Sequence, residues 1–117
     1  MLNSLFDIQK IYPDIIELIG AICLFIKDDD GKIIGQLEAI PHLSLVSLWI
    51  DESHRRKGFG SLLLKQYIEK CKLKNIKEIK FECHKENKPA LNLYKKFGFL
   101  FEDSEVTEHC YTCKIKL

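Results

Sequence analysis

The chain has 117 residues, 46% of them hydrophobic, and carries 18 basic against 17 acidic residues for a formal net charge of +1. That length fits one domain, residues 1–117, with an ordinary core, and the balanced charge provides no global field favouring nucleic acid. The longest apolar stretch, Ile15 to Ile26, is interrupted by Glu17 and too mixed to span a bilayer; with no signal-peptide pattern at the amino terminus, the expectation is a cytoplasmic protein with neither membrane nor nucleic-acid partners.

Residues 1 to 20 are the least patterned. Asp14 after Pro13 is placed to open a short helix whose apolar side is Ile15, Ile16, Leu18 and Ile19, with Gly20 ending it. Ala21 to Lys27 and Lys32 to Ile40 are rich in Ile, Leu and Phe and flank Asp28-Asp29-Asp30-Gly31, the pattern of an antiparallel hairpin with Asp-Gly at its turn. The acidic run then reads as a solvated turn, not a metal site. Pro41-His42 closes the hairpin, and Leu43 to Ile50 forms a third strand.

That strand leads into Arg55-Arg56-Lys57-Gly58-Phe59-Gly60-Ser61, which has the makings of a phosphate cradle. Two glycines two apart permit a tight turn and a close backbone approach to an anion. A helix beginning near Phe59 adds unpaired N–H groups and the positive end of its dipole, and Arg55, Arg56 and Lys57 add charge, arginine in a bidentate fork. There is no Gly-Lys-Ser/Thr ending of a triphosphate loop, and Leu63 stands where a dinucleotide fingerprint has its third glycine.

From Phe59 to Lys74 the residues Gly60, Leu64, Tyr67, Ile68 and Cys71 share one helical face. Ile76 to His84 is the next strand, and strand, helix, strand in this order implies a parallel pair joined by a right-handed crossover. Asn87 or Lys88 caps a short helix with Pro89 in its first turn; Ala90, Leu93, Tyr94 and Phe97 recur on one side and Gly98 closes it. Phe99 to Thr107 and Cys110 to Leu117 form a final antiparallel pair. Five cysteines without a regular framework suit reduced thiols. Cys110 and Cys113, three apart on a strand, point to opposite faces, and so do Cys83 and His84, which argues against a metal site and against a Cys/His nucleophile; Cys83 takes the place of a core aliphatic.

The cradle and the second motif together resemble the GNAT-type N-acetyltransferases. Arg55-x-x-Gly58-x-Gly60 matches the family's pyrophosphate loop, and Asn87, Ala90, Leu93, Tyr94, Gly98 and Phe99 match its second signature in order and spacing. The likeness is specific over roughly residues 44 to 100 and general from 21 to 117. It implies an α/β (α+β) fold: a mixed, mainly antiparallel sheet with a central splayed parallel strand pair, flanking helices and shortened amino-terminal elements. Acetyl-CoA as acetyl donor would fill the splay between Leu45 to Ile50 and Ile79 to Cys83, paired to backbone near Leu48 and Ile50.

By the same resemblance, Arg55, Arg56, Lys57, Gly58, Phe59, Gly60 and Ser61 bind the donor's phosphates, and a backbone N–H on the Leu48 strand faces the oxyanion. Asn87 positions the donor or caps its helix, and Tyr94 is either the acid for the departing thiolate or an aromatic packed at helical spacing. The base is open, because the third strand offers only Ser44 and Ser47 where many members carry a glutamate. Glu38 and His42 are the nearest substitutes, reached through water. The acceptor is a small amine, polyamine or peptide amine, and the acidic residues Glu102, Asp103, Glu105 and Glu108 would draw a cationic one. An acceptor side walled by fewer elements would be open, lost, or completed by a second copy in a homodimer. A coenzyme-A-binding sensor or partner module without transfer activity is the alternative.

Overall fold

The computed structural model describes residues 13–117, and any expectation for residues 1–12 lies outside them. The first described element is α1 (Pro13–Leu18). Of its expected apolar side only Ile16 is buried, while Ile15 and Leu18 face solvent. Strands β1 (Ile22–Lys27) and β2 (Ile33–Ile40) form the expected hairpin, with a register irregularity at Ile26/Lys27. The Asp28 side chain holds its turn by accepting from the N–H groups of Asp30 and Lys32, both at 2.9 Å.

The third strand is shorter than its apolar run suggests. Pro41–Leu43 folds as a single 3-10 turn and Ser44 takes a left-handed conformation (φ 55°), so β3 covers only Leu45–Ile50. Proline at the turn's start fixes φ and removes a donor, which explains why pairing stops before it. The remaining elements are α2 (Phe59–Leu73), β4 (Glu78–His84), α3 (Lys88–Lys96), β5 (Leu100–Asp103) and β6 (Cys110–Lys116).

Among the described residues the strands form two three-stranded antiparallel sheets, ordered β1-β2-β3 and β4-β6-β5. The last strand inserts between β4 and β5, pairing Phe81 and Phe101 with Cys113 on its two sides. Strands β3 and β4 adjoin one another without a hydrogen-bonded ladder. The sheet is therefore open along this seam, where the sequence places its splayed pair.

One core crosses the seam on the helical side. Leu63, Leu64, Tyr67 and Cys71 of α2 pack with Leu37 and Ala39 of β2, and the same cluster includes Phe81, Cys83, Cys113, Leu91, Tyr94 and Phe99. Strand periodicity then turns Leu45, Ser47 and Trp49 of β3 away from the helices, while Val46, Leu48 and Ile50 pack against this core. No described helix is long and apolar enough to cross a membrane.

Candidate active site

The loop after β3 is braced before it turns. Asp51 Oδ2 accepts from the Ser53 hydroxyl (2.6 Å) and from His54 Nδ1 (2.9 Å), and these two donors hold the Asp51 carboxyl below the usual carboxylate range. Glu52–His54 forms a 3-10 turn with Arg55 at its end. Arg55 then folds back, its Nε donating to the Ile50 carbonyl at 3.1 Å. One end of that guanidinium is thus anchored to β3, leaving its terminal nitrogens for an anion, and one lone pair of Ile50 is already occupied. Asp51, Ser53 and His54 were not singled out by motif matching; the Asp-x-Ser spacing of a side-chain-capped turn was the available signal.

Arg56 (φ 63°) and Gly58 (φ 84°) are both left-handed, a backbone alternation that turns successive N–H groups toward one concavity. Helix α2 starts immediately afterwards with no side-chain cap, and the first N–H groups of a helix have no partner within it. Among the described residues no hydrogen bond uses the N–H groups of residues 56–61. The N–H groups of the glycine motif are therefore without protein partners among the described residues, and Arg55, Arg56 and Lys57 are exposed beside them.

The two glycines serve different ends. A Cβ on Gly58 would meet nothing within 4 Å, so its requirement is the left-handed φ. A Cβ on Gly60 would lie 3.3 Å from Leu93 Cδ2 and 4.0 Å from Leu48 Cδ2. Its small size lets α3 approach α2 beside β3, a packing reason that the motif alone did not give.

Helix α3 bridges the seam. Leu93 reaches toward α2 and β3, while the Tyr94 ring packs edge-on against Phe81 of β4 at 4.8 Å between centroids. Asn87 Oδ1 caps the helix by accepting from the Ala90 N–H at 3.4 Å. At the other end Phe99 N–H donates to the Tyr94 carbonyl (3.1 Å) and Gly98 N–H to that of Lys95 (3.0 Å), Gly98 being left-handed. This stop returns Phe99 to the Tyr94 ring, 5.7 Å away. Tyr94 is 5% exposed, and burial, reinforced by the thiols of Cys83 and Cys113, holds its phenol well above the ordinary tyrosine range. No hydrogen bond from its hydroxyl occurs among the described residues.

Glu38 lies on the opposite face of β2, directly across from Ser47 of β3. It is 6% exposed, and Gln36 Nε2 donates to its Oε1 at 3.2 Å. Beside it, burial and the Glu38 charge push the Cys23 thiol up to about 11. His42 is exposed next to Gly20, beyond the other end of β3 from the cradle. The acidic residues of the last hairpin are partly neutralised: Lys114 Nζ pairs with Glu102 (2.6 Å) and Lys85 Nζ with Asp103 (3.0 Å). All five cysteines are free thiols. Cys83 and Cys113 are buried in the core while Cys110 is only half-buried, and no described cluster of three or more side chains has the character of a metal site.

An unladdered seam ending in a basic, N–H-rich loop, with one tyrosine-bearing helix bridging it, is the frame of an acyltransferase fold. The chain belongs to the acetyltransferase (GNAT) family, whose sequence model matches residues 7–99. It is 32% identical to an N-alpha-acetyltransferase of Sulfurisphaera tokodaii over 74% of this chain and 60% of that protein, so it spans about three-fifths of that relative's length. Among solved structures it resembles the PaiA N-acetyltransferase of Thermoplasma acidophilum in complex with coenzyme A, with TM-score 0.77, 22% identity, and coverage of 93% of this chain and 70% of that one. It also resembles the spermidine/spermine N-acetyltransferase of Vibrio cholerae, with TM-score 0.70, 19% identity, and coverage of 98% and 78%.

Proposed function

We propose that the protein transfers the acetyl group of acetyl-CoA to a primary amine, and that the amine is the amino terminus of a peptide. The observation that carries this reading is the coincidence of the seam between β3 and β4 with a loop of unpaired N–H groups at its end. The N–H groups from Arg56 to Ser61 and the free end of the Arg55 guanidinium hold the pyrophosphate, and Lys57 adds charge. Backbone groups of Leu48 and Ile50 pair with the pantetheine amides as a missing strand would. The peptide acceptor follows from the name of the Sulfurisphaera tokodaii relative; polyamines are the competing class.

In the reaction the amine nitrogen bonds to the thioester carbon, giving a tetrahedral oxyanion for which a β3 backbone N–H near Leu48 is the donor. Collapse breaks the carbon–sulfur bond, and the thiolate takes a proton from Tyr94, whose burial keeps it protonated at neutral pH. The ammonium loses its proton through water to Glu38, one strand away from the seam. Asn87 fixes the start of the helix that carries Tyr94.

The absence of a carboxylate on β3 supports a second reading, a coenzyme-A-binding module without transfer. Free-thiol release with a panel of peptides, polyamines and small amines separates the two. The first reading predicts thiol release matched by acetylated product; donor binding without release would leave only the second.

A further inference from the structure

Asp51, Ser53 and His54 form a cluster immediately before the cradle that the transfer steps above leave unused. His54 Nδ1 lies 2.9 Å from Asp51 Oδ2 and 3.0 Å from the Ser53 hydroxyl, which gives its own hydrogen to Asp51 at 2.6 Å. An ionised carboxylate only accepts, and Asp51 is held in that form by these contacts. The hydrogen of a neutral imidazole therefore sits on Nδ1 and its lone pair on Nε2. Every hydrogen bond that His54 makes among the described residues uses Nδ1. The ring is 27% exposed and lies beside that of Phe59, the first residue of α2, at 6.4 Å between centroids. It is thus next in the chain to Arg55 and beside the helix end whose N–H groups have no protein partner.

We infer that His54 is a donor-binding residue that acts in its charged form, so that acetyl-CoA binds together with a proton. This rests on the cradle reading above. In the neutral ring the free nitrogen is an acceptor and offers nothing to a phosphate; a proton added there makes it a donor and the ring a cation. The charges around the ring set the sign of the coupling. Asp51 favours the cation, while Arg55, Arg56 and Lys57 of the same loop, and Lys32 at the start of β2, oppose it; Phe59 of α2 brings no charge. A bound pyrophosphate offsets the opposing cations and adds its own attraction, so the imidazole holds its proton more tightly in the complex. No direct contact is needed, because charges within a screening length of about 8 Å still interact. By linkage, affinity for the donor should fall as pH rises through about 5 to 8, where imidazole loses its charge.

The test is titration calorimetry of acetyl-CoA into the parent, His54→Gln and Asp51→Asn from about pH 5.5 to 8.5, repeated near neutral pH in buffers of different ionisation enthalpy to count protons. The donor's own 3′-phosphate loses its last proton near pH 6 and works in the opposite direction, so the parent is read against His54→Gln. The parent should take up a fraction of a proton per donor bound that His54→Gln does not. At the acid end the parent should bind roughly tenfold more tightly than His54→Gln, the weight of one close charge pair, and the two should converge at the alkaline end. Asp51→Asn, which removes the charge that favours the cation, should move the divergence to lower pH. A brace without a charge role would instead weaken His54→Gln by the same factor at every pH. That result, or equal proton uptake in parent and variant, would overturn the inference while leaving the cradle. Failure of acetyl-CoA to bind the parent, or parent-like binding by Gly58→Val, would remove the cradle and this inference together.

Discussion

Replacing Tyr94 by phenylalanine separates packing from chemistry. The ring makes its contacts with Phe81 at 4.8 Å and Phe99 at 5.7 Å without the hydroxyl, and the hydroxyl has no hydrogen bond to lose among the described residues. Removing an unpaired, largely buried polar group and keeping its shape is nearly neutral, so the change in stability should stay within about 1 kcal/mol. Tyr94→Ala, by contrast, opens a cavity under two aromatic neighbours and should cost about 3–5 kcal/mol. If the hydroxyl protonates the leaving sulfur, Tyr94→Phe should lower kcat by about 10²–10⁴ with little change in acetyl-CoA affinity. Because burial raises the phenol, no alkaline limb of the parent's rate profile below about pH 10 should belong to Tyr94. Steady-state thiol release from pH 6 to 10, with urea unfolding of all three proteins, reads each quantity. A Tyr94→Phe enzyme turning over at the parent rate with a good acceptor would reduce Tyr94 to a packing residue.

The glycines should fail in different ways. Gly58→Ala forces a side chain into a left-handed φ at a strain of about 1–2 kcal/mol and should weaken the acetyl-CoA-induced melting shift, whereas Gly60→Val should also destabilise the apo protein by displacing Leu93, as thermal melts with and without donor would reveal. Arg55→Ala releases the Ile50 carbonyl and removes a phosphate charge, so the donor's Kd by calorimetry should rise severalfold, more at low salt. Burial holds the phenols of Tyr67 and Tyr94 above their unfolded value; below about pH 10 both states keep these protons, and above it only the folded state does. Stability should therefore fall from about pH 10 upward, by up to about 1.4 kcal/mol per pH unit for each of the two, and tyrosinate absorbance should show two of the four tyrosines ionising only as the fold opens.

The elements and the backbone turns of the glycine loop were largely legible because their signals are local. The Asp-Gly turn, the cap at Asn87, the stop at Gly98 and the paired glycines are decided by backbone conformation, which short sequence spacing records. The packing role of Gly60 was not legible, since it depends on Leu93, thirty-three positions later and on another helix. Nor was the exposed face of β3. Both alternating sets of that strand, Leu45 and Trp49 against Val46, Leu48 and Ile50, read as apolar, so periodicity could not say which faced the core. The truncation of β3 at Leu45 was hidden for the same reason: Leu43 continues the apolar run, and only the turn begun at Pro41 withdraws it from the ladder. A base is still not apparent on β3; Glu38, which the sequence offered as a substitute, lies across the ladder from Ser47.

The most direct test follows acetyl-labelled acetyl-CoA in the presence of a Met-initiated peptide, counting free thiol and labelled peptide in the same reaction, for the parent and for Gly58→Val. The account predicts catalytic, one-to-one appearance of thiol and N-acetylated peptide in the parent and loss of both, together with donor binding, in the variant. Donor binding by the parent without labelled peptide or any other acetylated amine, or binding and transfer undisturbed in Gly58→Val, would contradict it.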